Sequence, residues 1–322
     1  DVYKRQSQTS AGWSHSLFVK TNGALWAMGR NYYGGLGDGT TIDRSTPVQV
    51  SSGVSQVAGG SNHSLFVKTD NTLWAAGWNY YGQLGDGTYN DRNTPVQVDT
   101  GVTKAVAGGA HSLYVKTDGT LWAMGWNYAG QLGDGTTNDC STPVQIDSGV
   151  SQVAAGYAHS MFIKTDGTLW AMGRNDSGQL GDGTTTNRST PVQIDTDVVQ
   201  VAAGDYHSLY VKTDGTLWSM GWNYDGQLGD GTTTSRSLPV QVDTGVYQVT
   251  TGDYHSLFVK IDGTLWATGD NGFGQLGDGT TSDRTVPVQV ATGVSLAAGG
   301  GNHSLFLQST GSLDSDSDGL SD

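Results

Sequence analysis

A period of 48 residues, kept without a single insertion, constrains this chain more than any other feature. All seven histidines lie on one ladder: His15, His63, His111, His159, His207, His255 and His303. All six prolines lie on a second, from Pro47 to Pro287, and Trp26, Trp74, Trp122, Trp170, Trp218 and Trp266 lie on a third. A fixed step of this length predicts a propeller or a solenoid. In such a protein each unit packs only on its neighbours, so 322 residues need not split into two domains.

The 49 glycines occupy fixed places within each unit, which assigns them to turns. No glutamate occurs, so all 30 acidic residues are aspartates. Aspartate favours turns and caps and is poor inside helices, which argues for an all-β chain. Each unit holds four strand-like runs, named A to D. In the second unit these cover residues 56–58, 63–68, 73–77 and 94–98.

Three of the six complete B–C connections read Thr-Asp-Gly-Thr, as at residues 117–120, a hairpin signal between apolar runs. Strand B is apolar on both faces, with Leu65 and Val67 on one and Phe66 on the other, as expected of a blade held between two blades. Strand A carries small residues such as Ala154 and Ala155, suited to a crowded axis. Proline opens strand D, which makes D the outer edge.

Six complete units follow residue 7, and a seventh supplies only strands A and B before Asp314 stands where tryptophan is expected. The expected fold is therefore all-β: a seven-bladed β-propeller of four-stranded antiparallel blades, the last incomplete and leaving a raw edge. A six-bladed ring with a loose tail is the rival. The expected boundaries are residues 1–6 as an unmatched remnant, 7–313 as the propeller and 314–322 as an aspartate-rich segment.

A formal charge of −14 opposes binding to nucleic acid, and no apolar run approaches the roughly 20 residues of a membrane span. Cys140, the only cysteine, fills a slot held elsewhere by Arg44, Arg92, Arg188, Arg236 and Arg284. It reads as a substitution and not as a reactive thiol.

The unit A-G-x-x-H-S-L-F-V-K-T-D-G-T-L-W-A-M-G-x-N-x-x-G-Q-L-G-D-G resembles the regulator-of-chromosome-condensation repeat over residues 7–313. The resemblance implies a seven-bladed propeller but no one function. The family includes a nuclear guanine-nucleotide exchange factor, a plant UV-B photoreceptor and a secreted bacterial inhibitor of β-lactamases. The exchange factor works through an inserted wedge that these repeats lack. The photoreceptor pattern needs tryptophan before the histidine in several blades, and only Trp13 stands there. The bacterial binding proteins are the most similar in style.

Histidines on separate blades stand too far apart to share one metal, since blades pack ~10 Å apart and ligands lie ~2 Å from zinc. Each ring is expected to bond a neighbouring loop backbone instead. The Gly-Gln-Leu-Gly-Asp-Gly run superficially resembles a phosphate loop but lacks the following Gly-Lys-Ser/Thr and a helix, so Asp86 and its copies are expected to fold the turn. The Trp74 ladder reads as core. No catalytic arrangement breaks the symmetry, so the chain is expected not to be an enzyme.

Function is expected where the repeats differ. Alternating strands put the A–B and C–D loops on one face. The A–B slots include Trp13, Tyr157, Asp205, Tyr206, Asp253 and Tyr254, and the C–D slots Arg30, Tyr32, Trp78, Tyr80, Trp126, Tyr128, Arg174, Trp222 and Tyr224. Trp, Tyr and Arg are enriched at binding hot spots, which makes these residues the candidate partner-binding set. Exposed aromatics beside aspartates equally suit sugar rings. Residues 314–319 match the D-x-D-x-D-G start of a calcium loop, with Asp314, Asp316, Asp318 and Asp322 as candidate ligands; otherwise no cofactor is expected. The resulting expectation is a non-enzymatic protein-binding propeller from a secreted or surface bacterial protein. A carbohydrate-binding propeller is the alternative, and an exchange factor ranks below both.

Overall fold

The computed structural model of the chain describes residues 6–308, and within them every regular element is a β-strand. The first blade is Gln6–Ala11, His15–Lys20, Leu25–Gly29 and Arg44–Ser51, paired antiparallel in chain order. The same four-stranded sheet recurs five more times. At the seventh position Val294–Gly299 pairs with Ser304–Gln308. That pair is part of the ring, because Val294–Gly299 lies beside Gln6–Ala11, and the rival loose tail is thereby excluded. The tail candidates Asp314, Asp316, Asp318 and Asp322 lie outside the described residues.

Strand B is buried on both faces, as its composition predicts: Leu113, Tyr114 and Val115 are at most 3% exposed. Each interblade layer joins strands B and C of one blade to strands A and B of the next, as where Leu65 and Leu73 meet Val102 and Tyr114. Burying one such leucine contributes roughly 1.5–3 kcal/mol. Strand D extends three residues upstream of Pro47, to Arg44. The missing proline N–H is harmless on an outermost strand.

Two ladders take forms that the sequence does not predict. The Trp74 rung is not fully buried: the ring stacks on Phe66 at 6.4 Å, with Lys68 Nζ 4.4 Å above it and its indole N–H donating to Thr72 Oγ1. Regular spacing implies a constant environment, which here is a half-buried position packed against the edge of the core. The histidine partner is also different. His111 Nε2 lies 2.9 Å from Ser160 Oγ on the next blade, and that hydroxyl donates to the carbonyl of Gln131 at 2.8 Å. A hydroxyl has one proton, so His111 must donate Nε2–H. Its Nδ1 is then an acceptor that meets no donor among the described residues. Burial accordingly lowers the pKa of His63, His111 and His207 to about 3, and that of His15, His159 and His255 to about 4.

Six links of this kind run from His15–Ser64 to His255–Ser304. Strand A adds a second clamp: Gln248 both accepts from and donates to the backbone of Ala297, which fixes the seventh pair. Around the axis the strands approach so closely that a Cβ on Gly156 would strike the Gly204 carbonyl and the His159 ring. Gly is required there by close approach and not by a positive φ.

Candidate functional site

Each A–B connection is a tight turn between that glycine and the histidine, as in Gly156-Tyr157-Ala158-His159. The C–D loop starts on it, with the Trp126 amide donating to Ala110 O and that of Arg30 to Ser14 O. Hydrogen bonds at the other end join the B–C hairpin to the D–A turn, as where Val54 N donates to Gly23 O. The loops therefore segregate as the strand alternation predicts.

The Gly-Gln-Leu-Gly-Asp-Gly run is a knot that stiffens the C–D loop. Asn79 accepts from the Leu84 amide and donates to Asp86, whose second oxygen meets Arg92 Nε at 2.7 Å. Burial alone would raise the Asp86 pKa, but hydrogen bonds from Thr88 and Arg92 outweigh it and hold the carboxyl below its usual range. Where Cys140 replaces the arginine, burial and then Asp134 raise its thiol pKa, which keeps it protonated and unreactive.

On the loop end the ring encloses a funnel of about 510 Å³. The candidate residues divide between its inside and its rim. Trp13, Trp78, Trp126, Tyr157, Asp205, Tyr206, Asp253 and Tyr254 line the funnel. Arg30, Tyr32, Tyr80, Tyr128, Arg174, Trp222 and Tyr224 do not; they lie outside it. Tyr32, Tyr80, Tyr128 and Tyr224 are 64–77% exposed.

Neighbouring slots decide which side chains reach the axis. The third blade offers only Gly109 and Ala110, and Trp78 and Tyr81 of the second blade line the funnel beside them. Tyr81 was not in the predicted set. Its signal was the variation of that slot, which reads Tyr33, Tyr81, Ala129, Ser177, Asp225 and Phe273 along the chain. Tyr206 fills the fifth-blade slot, and there Arg174 of the preceding blade stacks over the tyrosine ring at 4.8 Å while paired to Asp176.

The rings make a continuous belt. Trp78 meets Tyr81 at 5.4 Å, Tyr81 meets Trp126 at 5.7 Å and Trp126 meets Tyr157 at 5.9 Å. Tyr157 continues to Tyr206 at 6.2 Å, and Tyr206 to Tyr254 at 6.0 Å. Asp205 and Asp253 sit at the inner edge of that last stretch. Burial raises the pKa of both carboxyls, and for Asp205 the charge of Asp253 raises it further. Burial and then Asp205 raise the Tyr254 phenol to about 12. Among the described residues no group of three or more His, Cys, Asp or Glu side chains could hold a metal ion.

Residues 2–250 match the RCC1-like domain, and residues 246–275 and 262–307 match the regulator of chromosome condensation (RCC1) repeat. No curated protein matches the chain. Among solved structures, human WBSCR16 is similar at 24% identity and a TM-score of 0.86, over 96% of this chain and 87% of that one. Prp20p from Saccharomyces cerevisiae, described with its binding properties to Gsp1p and histones, is 22% identical with a TM-score of 0.81, over 94% and 82% of the two chains. Yeast RCC1 (Prp20) with Kap60 bound gives 22% and 0.83, over 94% and 80%. These identities carry the fold and no activity.

Proposed function

The chain belongs to the RCC1-like domain family, and from that premise we propose that it is a binding module that docks a protein partner on the loop end of its ring. One observation carries the reading. The unlike side chains collect around a single funnel mouth, whereas the hairpin end repeats one Asp–Thr turn, as in Asp118–Thr120 and Asp166–Thr168. Large aromatics ringed by packed neighbours are the side chains that dominate binding energy. Prp20p, described with Gsp1p, histones and Kap60, is consistent with a family that binds proteins, without naming this chain's partner. A secreted or cell-surface setting belongs to the same proposal and rests on the sequence alone.

The test replaces Trp126→Ala and Tyr206→Ala together and compares proteins retained by the variant and the unaltered chain. Loss of a retained protein, with the strand spectrum intact, supports docking on this end. Identical retention removes this end from consideration. Release by free sugar, and not by competing protein, would transfer the site to a glycan.

A further inference from the structure

Asp205 and Asp253 occupy the innermost slot on consecutive blades, where other blades place Trp13, Ser61, Gly109, Tyr157 and Gly301. Their backbones touch directly, with the Asp205 amide donating to the Asp253 carbonyl at 3.2 Å. Among the described residues neither carboxylate has a hydrogen-bond donor or a cation. By contrast Asp176 is paired with Arg174, Asp230 with Arg236 and Thr232, and Asp270 with the Gly272 amide and Gln275. The sixth and seventh slots also differ in size. Gly301 has no side chain and faces the Asp253 carboxylate, which leaves the acid pair open to the cavity.

We infer that the funnel seats an organic ammonium ion of the lysine side-chain kind, its head between Asp205 and Asp253 and its stem along Tyr157, Tyr206 and Trp126. Two carboxylates on separate blades suit a compact head with three N–H donors better than a planar guanidinium, whose fork matches one carboxylate. Aromatic faces attract a cation and shelter an apolar stem at once. A cavity of about 510 Å³ has room for both, and a chain of charge −14 draws basic partners toward it. The inference rests on the proposed docking of a protein only in making that protein the carrier of the ammonium.

The test titrates the whole chain, by calorimetry, with n-butylammonium, with lysine blocked at both ends, and with the uncharged norleucine equivalent. Binding of both amines but not of norleucine is expected. An Asp205→Asn, Asp253→Asn double variant should weaken that binding at least about tenfold. The same variant should melt at an equal or higher temperature, because it removes the burial cost and mutual repulsion of the acid pair. A merely structural acid pair would lower the melting temperature instead. No uptake of either amine, or equal uptake by the double variant, overturns the inference. Uptake of butylammonium alone overturns a partner's lysine as the guest and points to a free amine. The Trp126 and Tyr206 comparison reports separately on protein docking, so the two readings fail independently.

Discussion

Two concentric rings, separated by only one or two residues in each blade, obey opposite rules. The lower ring, built of glycine and the histidine–serine links, is the same in blade after blade; its side chains meet only other blades, and its glycines offer the funnel nothing but backbone. The upper ring, one residue further along the same turn, differs at almost every blade and touches the funnel. Gly156 admits no side chain, Tyr157 projects into the cavity, and His159 is locked to Ser208. Repetition therefore marks what a neighbouring copy demands, and variation marks what faces outward.

The largest expected effect tests the lower ring. Gly156→Ala places a Cβ against the Gly204 carbonyl, a backbone atom that cannot rotate away, and should destabilise by about 3 kcal/mol or more in urea denaturation. Ser160→Ala comes next. It strands the His111 Nε2–H and the Gln131 carbonyl, for a loss of about 1–3 kcal/mol per unmatched group. The same change at Ser112 or Ser208 should agree with it, since the links are alike; unequal losses would break the rule of identical rungs.

Acid should act on the same ring. The buried imidazoles have folded-state pKa values near 3 or 4, below the ordinary 6.5. Between those values the unfolded chain binds more protons, so stability falls as pH drops from about 6.5 toward 3. Asp205 runs the other way. Its raised folded value gives full stability below the ordinary 3.8 and a loss as pH rises through the folded value. Melting temperature against pH should therefore fall steeply on the acid side, and Asp205→Asn should lift its neutral side slightly, on the order of a degree or two.

Much of the ring was legible in the sequence because spacing reports equivalence. Strands B and C match their expected bounds, at His63–Lys68 and Leu73–Gly77. Contacts between copies were not legible, because a single repeat does not display its neighbour: the serine that receives each histidine lies on the next blade, 49 residues on. Burial was concealed for the same reason. Leu305, Phe306 and Leu307 read like any strand B, yet they are 42%, 46% and 38% exposed. No third or fourth strand covers that pair among the described residues. The rim was legible as a set of odd residues, but its division was not, because access to the funnel depends on how small the adjacent slot is. Tyr81 reaches the axis for that reason, while Trp222 stays outside the funnel.

One engineered chain tests the division of labour directly. Trp13, Ser61, Tyr157, Asp205 and Asp253 are each replaced by glycine, and Tyr206 and Tyr254 by alanine, so that these slots come to resemble Gly109-Ala110. Urea denaturation and the butylammonium titration are then run side by side. The account predicts an unfolding midpoint close to that of the parent together with complete loss of ammonium uptake. A collapsed midpoint, or uptake that persists, would contradict it.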